Sequence, residues 1–309
     1  GFLMASLTTM AMENLLTDAQ RVEWGWRVPF LFAFPIGIPV LMLQRHMEES
    51  AEFRSLADPK ASKMSAVSGS RLADIRAEEE AIRVGNSEVP ASPPTTAGLV
   101  SHVLSTQRTT CQICIGMVAM QASMHYGMIS YFKDLLVNED ILPVRQAGEV
   151  ASIALVAVLV TEIFVGVLID VTSLAAVVRF AMPALLLSVW PLWVLLTVQD
   201  SLEVITVGAL AAGVLYGLHV AFVCLSVSVF PTAVRATALG LAYNVGQLLF
   251  GAPAPFVSNF LLDTLEDTSL KAWQVHSIAP SIWIYVSLAC TCAALALAYR
   301  VNGAALASE

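Results

Sequence analysis

The chain has 309 residues, of which 57% are hydrophobic and only 13% are charged, and its mean hydropathy is +0.73. This make-up is typical of a protein within a lipid bilayer and excludes a soluble enzyme. The net charge of -8 argues against nucleic acid as a partner, because phosphate binding needs clustered Lys and Arg and no dense basic block occurs.

Repeated apolar segments follow one another along the chain, separated by short polar breaks. A membrane span needs about 20 mainly apolar residues, and most of the segments reach that length. Eight candidate spans lie near residues 1–16, 27–44, 111–136, 148–169, 175–197, 203–229, 235–262 and 280–300. They predict an all-α, multi-pass bundle of transmembrane helices. The first is short for a full crossing.

Five cysteines lie in or beside these apolar runs. Cys111 and Cys114 have the spacing of a metal-binding pair, yet no second pair or histidine cluster completes a tetrahedral site. We therefore expect small-residue packing, with no disulfide framework, metal or other cofactor.

A stretch from Arg45 to Arg108 changes abruptly to Ser, Ala, Pro, Glu and Arg. Its flanks have too little apolar area to fold, whereas Ser70 to Arg83 could form a short amphipathic helix at the membrane surface. The predicted organisation is two spans in 1–44, a largely disordered central loop in 45–110, six spans in 111–300 and a tail in 301–309.

The distribution of Lys and Arg predicts the orientation. Eleven of the 16 basic residues lie on the side of the central loop, and positively charged loops stay in the cytoplasm. We expect a cytoplasmic loop, in a protein of the plasma membrane rather than of an organelle.

Two motifs resemble a known family. The segment Gly25–Phe30 opens a span that closes in Arg45–Phe53, and a second motif runs from Phe230 through Pro231 and Arg235 to Gly246. At this separation they resemble the sixth span and the loop between spans ten and eleven of the metabolite:proton symporters, a branch of the major facilitator superfamily.

The resemblance implies spans five to twelve of a twelve-span fold, without the first four. It also implies proton-coupled symport of a small organic acid or zwitterion by alternating access. The partners would be the bilayer, the solute, protons and either the absent N-terminal spans or another subunit, which a complete cavity needs. The sugar transporters' PESPR-like end of the sixth span is absent.

A second hypothesis comes from another class of protein. The chain would then be a non-transporting, truncated paralogue that acts in membrane interaction or regulation. Catalysis has little support, because no HExxH, paired intramembrane Asp or GxS nucleophile motif stands in any span. We expect no enzyme and no catalytic residues.

Ionisable groups within spans are costly in hydrocarbon, so each one is a functional hypothesis. Glu162 lies eight residues before Asp170, about 12 Å of helix rise inside the cytoplasmic end of its span. It is a candidate proton carrier, or alternatively an acid with an interhelical hydrogen bond and no role in transport.

Other polar side chains within spans are candidates for the solute or proton pathway. Gln121 and His125 share a face one turn apart, with Tyr126 adjacent, while Asn244 and Gln247 share a face three residues apart. Packing roles are the alternative in each case. His219 has fewer polar neighbours in the sequence and is expected to be structural.

Near the cytoplasmic ends, the resemblance implies a gate. Gly166 and Asp170 match the turn after the family's eighth span, but Arg179 is the only nearby cation where the family has an Arg-rich stretch. Pro231, Arg235 and Gly240 belong to the second motif, in which Arg235 would anchor the hairpin to headgroups. Further expectations are close helix packing at Gly213, Gly217, Gly240, Gly246 and Gly251, and a kink at Pro253 and Pro255.

Overall fold

A computed structural model describes residues 2–47, 96–197, 201–232 and 234–301. Within these ranges the secondary structure is helical throughout and no strand occurs, which confirms the predicted all-α bundle. The N-terminal part contains α1 (Phe2–Leu15), α2 (Asp18–Glu23) and α3 (Val28–His46).

The larger part contains ten helices and two π-helical stretches. The helices are α4 (Thr96–Thr106), α5 (Arg108–Met124), α6 (Phe132–Asn138), α7 (Val144–Val171), α8 (Leu174–Thr197), α9 (Leu202–Gly217), α10 (Val220–Ser228), α11 (Arg235–Gly246), α12 (Pro253–Glu266) and α13 (Ala272–Val301). The π-helical stretch His125–Tyr131 joins α5 to α6, and Gln247–Gly251 lies between α11 and α12.

Five helical segments of the described residues are long and apolar enough to cross a membrane. They are Val144–Val171, Leu174–Thr197, Leu202–Ser228, Arg235–Glu266 and Ala272–Val301. Helices also occupy the other three predicted spans, namely α1, α3 and the segment from α5 through α6, although α1 has only 14 residues.

The central loop lies mostly outside the described residues, and so does the predicted amphipathic helix at 70–83. The last part of the predicted loop is helical and not disordered, because residues 96–106 form α4. Leu99, Val100 and Val103 repeat at helical spacing, and Val103 is fully buried. It packs with Phe230 and Ala238, so this end of the predicted loop is part of the bundle.

Glycines set the distance between α7 and α9. A Cβ on Gly213 would overlap the Ala154 carbonyl, and one on Gly217 would lie 2.5 Å from the Thr161 Cβ. The predicted close packing is confirmed at both positions and also at Gly246 and Gly251. At Gly240, by contrast, a Cβ would meet no described atom within 4 Å.

Side chains of α13 bond to the backbones of three neighbouring helices. Thr291 Oγ1 donates to the Gly116 carbonyl (2.8 Å), Tyr285 Oη to the Leu186 carbonyl (3.1 Å) and Trp283 Nε1 to the Phe250 carbonyl (2.8 Å). These bonds satisfy backbone groups of α5, of α8 near Pro191 and of the second π-helical stretch. They fix α13 against the helices that carry the polar side chains.

The short helix α1 makes polar contacts with α7 and α6. Ser6 Oγ lies 2.8 Å from Ser152 Oγ, and Glu13 Oε1 lies 3.6 Å from Lys133 Nζ. The N-terminal part is thereby joined to the six-span part by two side-chain pairs.

Candidate functional site

Glu162 and His219 form a pair at the contact between α7 and the α9–α10 segment. Glu162 Oε1 lies 3.7 Å from His219 Nε2, and the His219 side chain is only 10% exposed. The sequence around His219 gives no sign of this partner. The sequence around His219 is apolar, and its partner comes from a helix packed across Gly217.

The backbone tightens where α9 passes into α10. The amides of Leu218 and His219 donate to carbonyls three residues earlier, at 3.2 and 2.9 Å. Such short 3₁₀-type turns within a span often mark functional positions. The turn places the His219 ring on the Tyr216 ring, with centroids 4.3 Å apart and planes within 11°, and holds His219 Nδ1 2.8 Å from the Tyr216 carbonyl.

Two glutamines extend this arrangement across the bundle. Gln121 Nε2 donates to the Tyr216 hydroxyl (3.3 Å), and Gln247 Nε2 donates to Gln121 Oε1 (2.9 Å). We call Glu162, His219, Tyr216, Gln121 and Gln247 the polar network. It runs from about 12 Å inside the loop-side end of α7 to positions near the middle of the α5 and α11 segments.

His125 and Tyr126 flank the polar network from the first π-helical stretch. The His125 ring lies 5.7 Å from the Tyr216 ring and 5.3 Å from the Tyr126 ring. Tyr126 in turn packs against Gly251 in the second stretch. The two π-helical stretches therefore meet beside the network. Such π-helical turns are frequent at functional sites.

Asn244 does not join the network. Its side chain is exposed and donates to the Gly240 carbonyl of its own helix at 2.7 Å. Gln247 instead stands at the start of the second π-helical stretch and reaches Gln121 on α5.

A cavity of about 390 Å³ opens between α5, α10 and α11, on the loop side of the network. Its lining is largely apolar, with polar or aromatic groups from Gln121, Phe222, Ser226 and Tyr243, and none of the described residues in the lining is charged. Gln121 belongs both to this wall and to the polar network. Tyr216, which completes the link to Glu162, was not among the residues expected from the sequence, although Tyr216 and His219 stand one helical turn apart.

The predicted gate residues lie at the loop-side ends of the helices. Asp170 and Arg179 are exposed, and Arg179 Nε donates to the Ala175 carbonyl (3.3 Å); within the described residues no ion pair joins the two. Gly166 has open space where a Cβ would lie.

Hydrogen bonds from Val234 and Arg235 close the turn at Pro231. Arg235 Nε donates to the Phe230 carbonyl (3.0 Å), and the Val234 amide donates to the Pro231 carbonyl (3.1 Å). Gly240, also part of this motif, lines the cavity. The second motif therefore supplies both a closed hairpin turn and one wall of the cavity.

The cysteines play no part in the polar network. All five are free thiols, and Cys111 and Cys114 are buried among small and apolar side chains. Among the residues that the structure describes, no group of three or more His, Cys, Asp or Glu side chains is arranged to hold a metal ion.

Long apolar helices around a cavity, with polar side chains linked between them, are typical of multi-pass membrane proteins. The particular family follows from a family model described as sugar (and other) transporter, which matches residues 1–297. The chain belongs to this family of the major facilitator superfamily, so the predicted membership is confirmed and the protein belongs to a family of transporters rather than of enzymes.

Curated relatives carry more specific names. The chain is 25% identical over 263 residues to the ectoine/proline transporter ProP of Corynebacterium glutamicum, covering 85% of this chain and 47% of the relative. It is 22% identical to the proline/betaine transporter of Salmonella typhimurium (90% and 51% covered) and 22% identical to the alpha-ketoglutarate permease of Escherichia coli K12 (90% and 56% covered). The chain thus spans about half the length of these relatives. No solved structure matches.

Proposed function

We propose that this chain forms part of a secondary transporter that moves a small zwitterionic solute together with protons by alternating access. Residues 111–300 would form one six-helix half, and residues 1–44 would contribute two helices to the other half. In this type of fold the two halves rock about a solute site near the membrane midplane. Helices from elsewhere in the polypeptide or from another subunit would complete the cavity.

The cavity lining supports a zwitterion over an organic diacid. A dicarboxylate such as the solute of the alpha-ketoglutarate permease needs cationic partners, whereas the described part of the lining contains no Lys or Arg. Phe222 and Tyr243 offer aromatic faces that attract an alkylated ammonium group, and Gln121 offers an amide for a carboxylate or carbonyl oxygen. The names of the proline, ectoine and betaine transporters among the relatives agree with this choice.

The polar network is the single observation that carries the proposal. Hydrogen bonds, the Tyr216–His219 ring stack and the ion pair lead from Gln121 in the cavity wall to Glu162. A solute bound against Gln121 therefore has a physical connection to an ionisable pair within the membrane. Proton coupling needs such a connection, because loading at one site must change the energy of the other.

The loop-side turns fit a cytoplasmic position in the plasma membrane. Arg179 and Arg235 lie at helix ends on the same side as the central loop, where cations bind headgroups of the cytoplasmic leaflet. We propose that Arg235 holds its hairpin closed and anchored while the helices move. Asp170 and Gly166 would form the adjoining turn of the cytoplasmic gate.

Uptake into proteoliposomes tests the proposal. The complete polypeptide of the gene is reconstituted, an inward proton gradient is imposed, and labelled betaine, proline and α-ketoglutarate are supplied separately. We expect accumulation of betaine or proline that stops when a protonophore collapses the gradient, and weaker uptake in Gln121→Leu. Thr206→Val, which removes only a hydrogen bond within α9, is the control and retains uptake.

Two results would contradict the proposal. Uptake of α-ketoglutarate alone would overturn the solute class, and uptake that ignores the gradient would overturn the coupling. Absence of any uptake from a correctly inserted protein would support the alternative of a non-transporting membrane interaction protein.

A further inference from the structure

We infer that Glu162 and His219 bind the transported proton as one unit, between Glu162 Oε1 and His219 Nε2. This inference rests on the proposed proton-coupled function. It assigns a proton-binding role to His219 and a positioning role to Tyr216.

The backbone fixes one of the two imidazole nitrogens. His219 Nδ1 lies 2.8 Å from the Tyr216 carbonyl, and a carbonyl oxygen only accepts hydrogen bonds. Nδ1 must therefore carry its hydrogen in every protonation state that keeps this contact. Only Nε2, the nitrogen that faces Glu162, is left to gain or lose a proton.

The net charge of the Glu162–His219 pair depends on whether the proton is bound. With no proton between them, ionised Glu162 and neutral His219 carry one negative charge together. One bound proton makes the pair neutral overall, whichever atom holds it. A net charge is costly to enclose between closing helices, so proton loading favours the conformation in which the two halves seal the site.

Several titratable side chains surround the Glu162–His219 pair. The titratable side chains near it are Tyr216 on α9, His125 and Tyr126 on the first π-helical stretch, and Tyr243 on α11. Within the described residues, His219 provides the only ion pair of Glu162. Among the described residues, no Lys or Arg forms an ion pair with Glu162.

Tyr216 joins the pair to the cavity. Its ring stacks on the imidazole and its hydroxyl accepts a hydrogen bond from Gln121. When a bound solute attracts the Gln121 amide, the Tyr216 ring and its carbonyl shift with it, and both define the position of His219. The proton site therefore senses the cavity through one residue.

A second histidine–carboxylate pair provides a matched control. Glu139 Oε2 lies 3.3 Å from His276 Nε2, at the opposite ends of the helices and outside the polar network. The control variants Glu139→Gln and His276→Gln make the same chemical changes as Glu162→Gln and His219→Gln.

The first experiment is nitrogen NMR of the detergent-solubilised chain labelled at the histidine rings, titrated between about pH 3 and 8. The His219 signal is assigned as the one lost in His219→Gln. We expect Nδ1 to stay protonated across the titration while Nε2 alone changes, with a midpoint that moves in Glu162→Gln and stays in Glu139→Gln. A His219 ring that carries its hydrogen on Nε2 when neutral would overturn the inference.

The second experiment measures protons moved per solute in proteoliposomes. Glu162→Gln and His219→Gln should each lose proton movement, whereas Glu139→Gln and His276→Gln should keep it. If the unmodified transporter moves solute without protons, the proposed function fails, and the NMR result still decides whether the pair acts as a unit. If the unmodified transporter is coupled and both network variants remain coupled, only the present inference fails. Should a network variant not fold, NMR of the unmodified chain remains decisive.

Discussion

Gly217 lies against Thr161 so closely that a Cβ on the glycine would come within 2.5 Å of the threonine Cβ. The two residues are the immediate neighbours of the functional pair, since Glu162 follows Thr161 and His219 stands two positions after Gly217. The missing side chain at 217 thus allows α9 to approach α7 and the imidazole to reach the carboxylate. Packing and chemistry depend on the same contact.

Substitution of Gly217 tests this contact. Gly217→Ala introduces an overlap with Thr161 and should lower the free energy of unfolding by about 1–3 kcal/mol. Gly166→Ala is the control on α7, where a Cβ has open space and the better helix former should stabilise by up to about 1 kcal/mol. Thermal unfolding in detergent measures the stability of both variants. Equal shifts in the same direction would contradict the proposed packing.

The two glutamines of the polar network should be energetically coupled. Gln121→Leu and Gln247→Leu each remove one side of a 2.9 Å hydrogen bond between α5 and the second π-helical stretch. A double-mutant cycle, based on the free energies of unfolding in detergent, should give a coupling free energy of about 0.6–2 kcal/mol. Asn244→Leu, combined with Gln121→Leu, serves as the control and should be additive, because Asn244 bonds only within its own helix.

The ion pair between α1 and α6 predicts an asymmetric response. Glu13 is only 11% exposed, and one of its carboxylate oxygens is buried without a hydrogen-bond partner among the described residues. Lys133→Met leaves that charge uncompensated and should destabilise by about 1–3 kcal/mol, less than for a fully buried pair because Lys133 is partly exposed. Adding Glu13→Gln should restore much of the loss.

The control for this pair is Arg145→Met. Arg145 and Glu149 form an exposed pair one turn apart on α7, so its loss should cost less than about 0.5 kcal/mol. Unfolding of the purified chain in detergent measures all three variants. A double variant less stable than Lys133→Met would argue against the pair.

Thr291 should stabilise the helix that carries Gln121. Its hydroxyl donates to the Gly116 carbonyl and accepts from the Met120 amide, one residue before Gln121. Thr291→Val keeps the shape and removes both bonds, and we expect a loss of about 1–2 kcal/mol, with recovery in Thr291→Ser. Thr264→Val, an exposed change that breaks only a bond within α12, should be close to neutral. Similar losses in the valine and serine variants would assign the effect to packing instead.

Local sequence patterns predict the helices and much of their packing, but only half of the site. Hydropathy places the spans because each one must be apolar over its own length, and glycine spacing predicts the α7–α9 contact at Gly213 and Gly217. Gln121 and Glu162 stand out as polar groups in apolar runs. The sequence does not indicate that these two residues are connected, because Gln121 and Tyr216 lie 95 positions apart and meet only after the helices pack.

The other features that the sequence does not reveal have the same origin. His219 has apolar neighbours along its own helix, so its pairing with Glu162 has no local signal. Asn244 bonds within its own helix although it stands only three residues before Gln247, which reaches Gln121, and spacing alone does not indicate this difference. The helix at 96–106 follows a segment rich in Pro and Ser, whose composition hides the apolar side at Val100 and Val103.

The most direct test of the central claim, that the cavity and the Glu162–His219 pair communicate through the network, is the number of protons moved per solute in Tyr216→Phe. The variant keeps the ring stacked on His219 and removes only the hydroxyl that accepts from Gln121. Solute uptake and the accompanying alkalinisation of the outer medium are recorded together in proteoliposomes, with Tyr299→Phe, an exposed site, as control. We predict that Tyr216→Phe still takes up solute but moves fewer protons with it, while the control keeps the original ratio. An unchanged ratio in Tyr216→Phe would contradict the account.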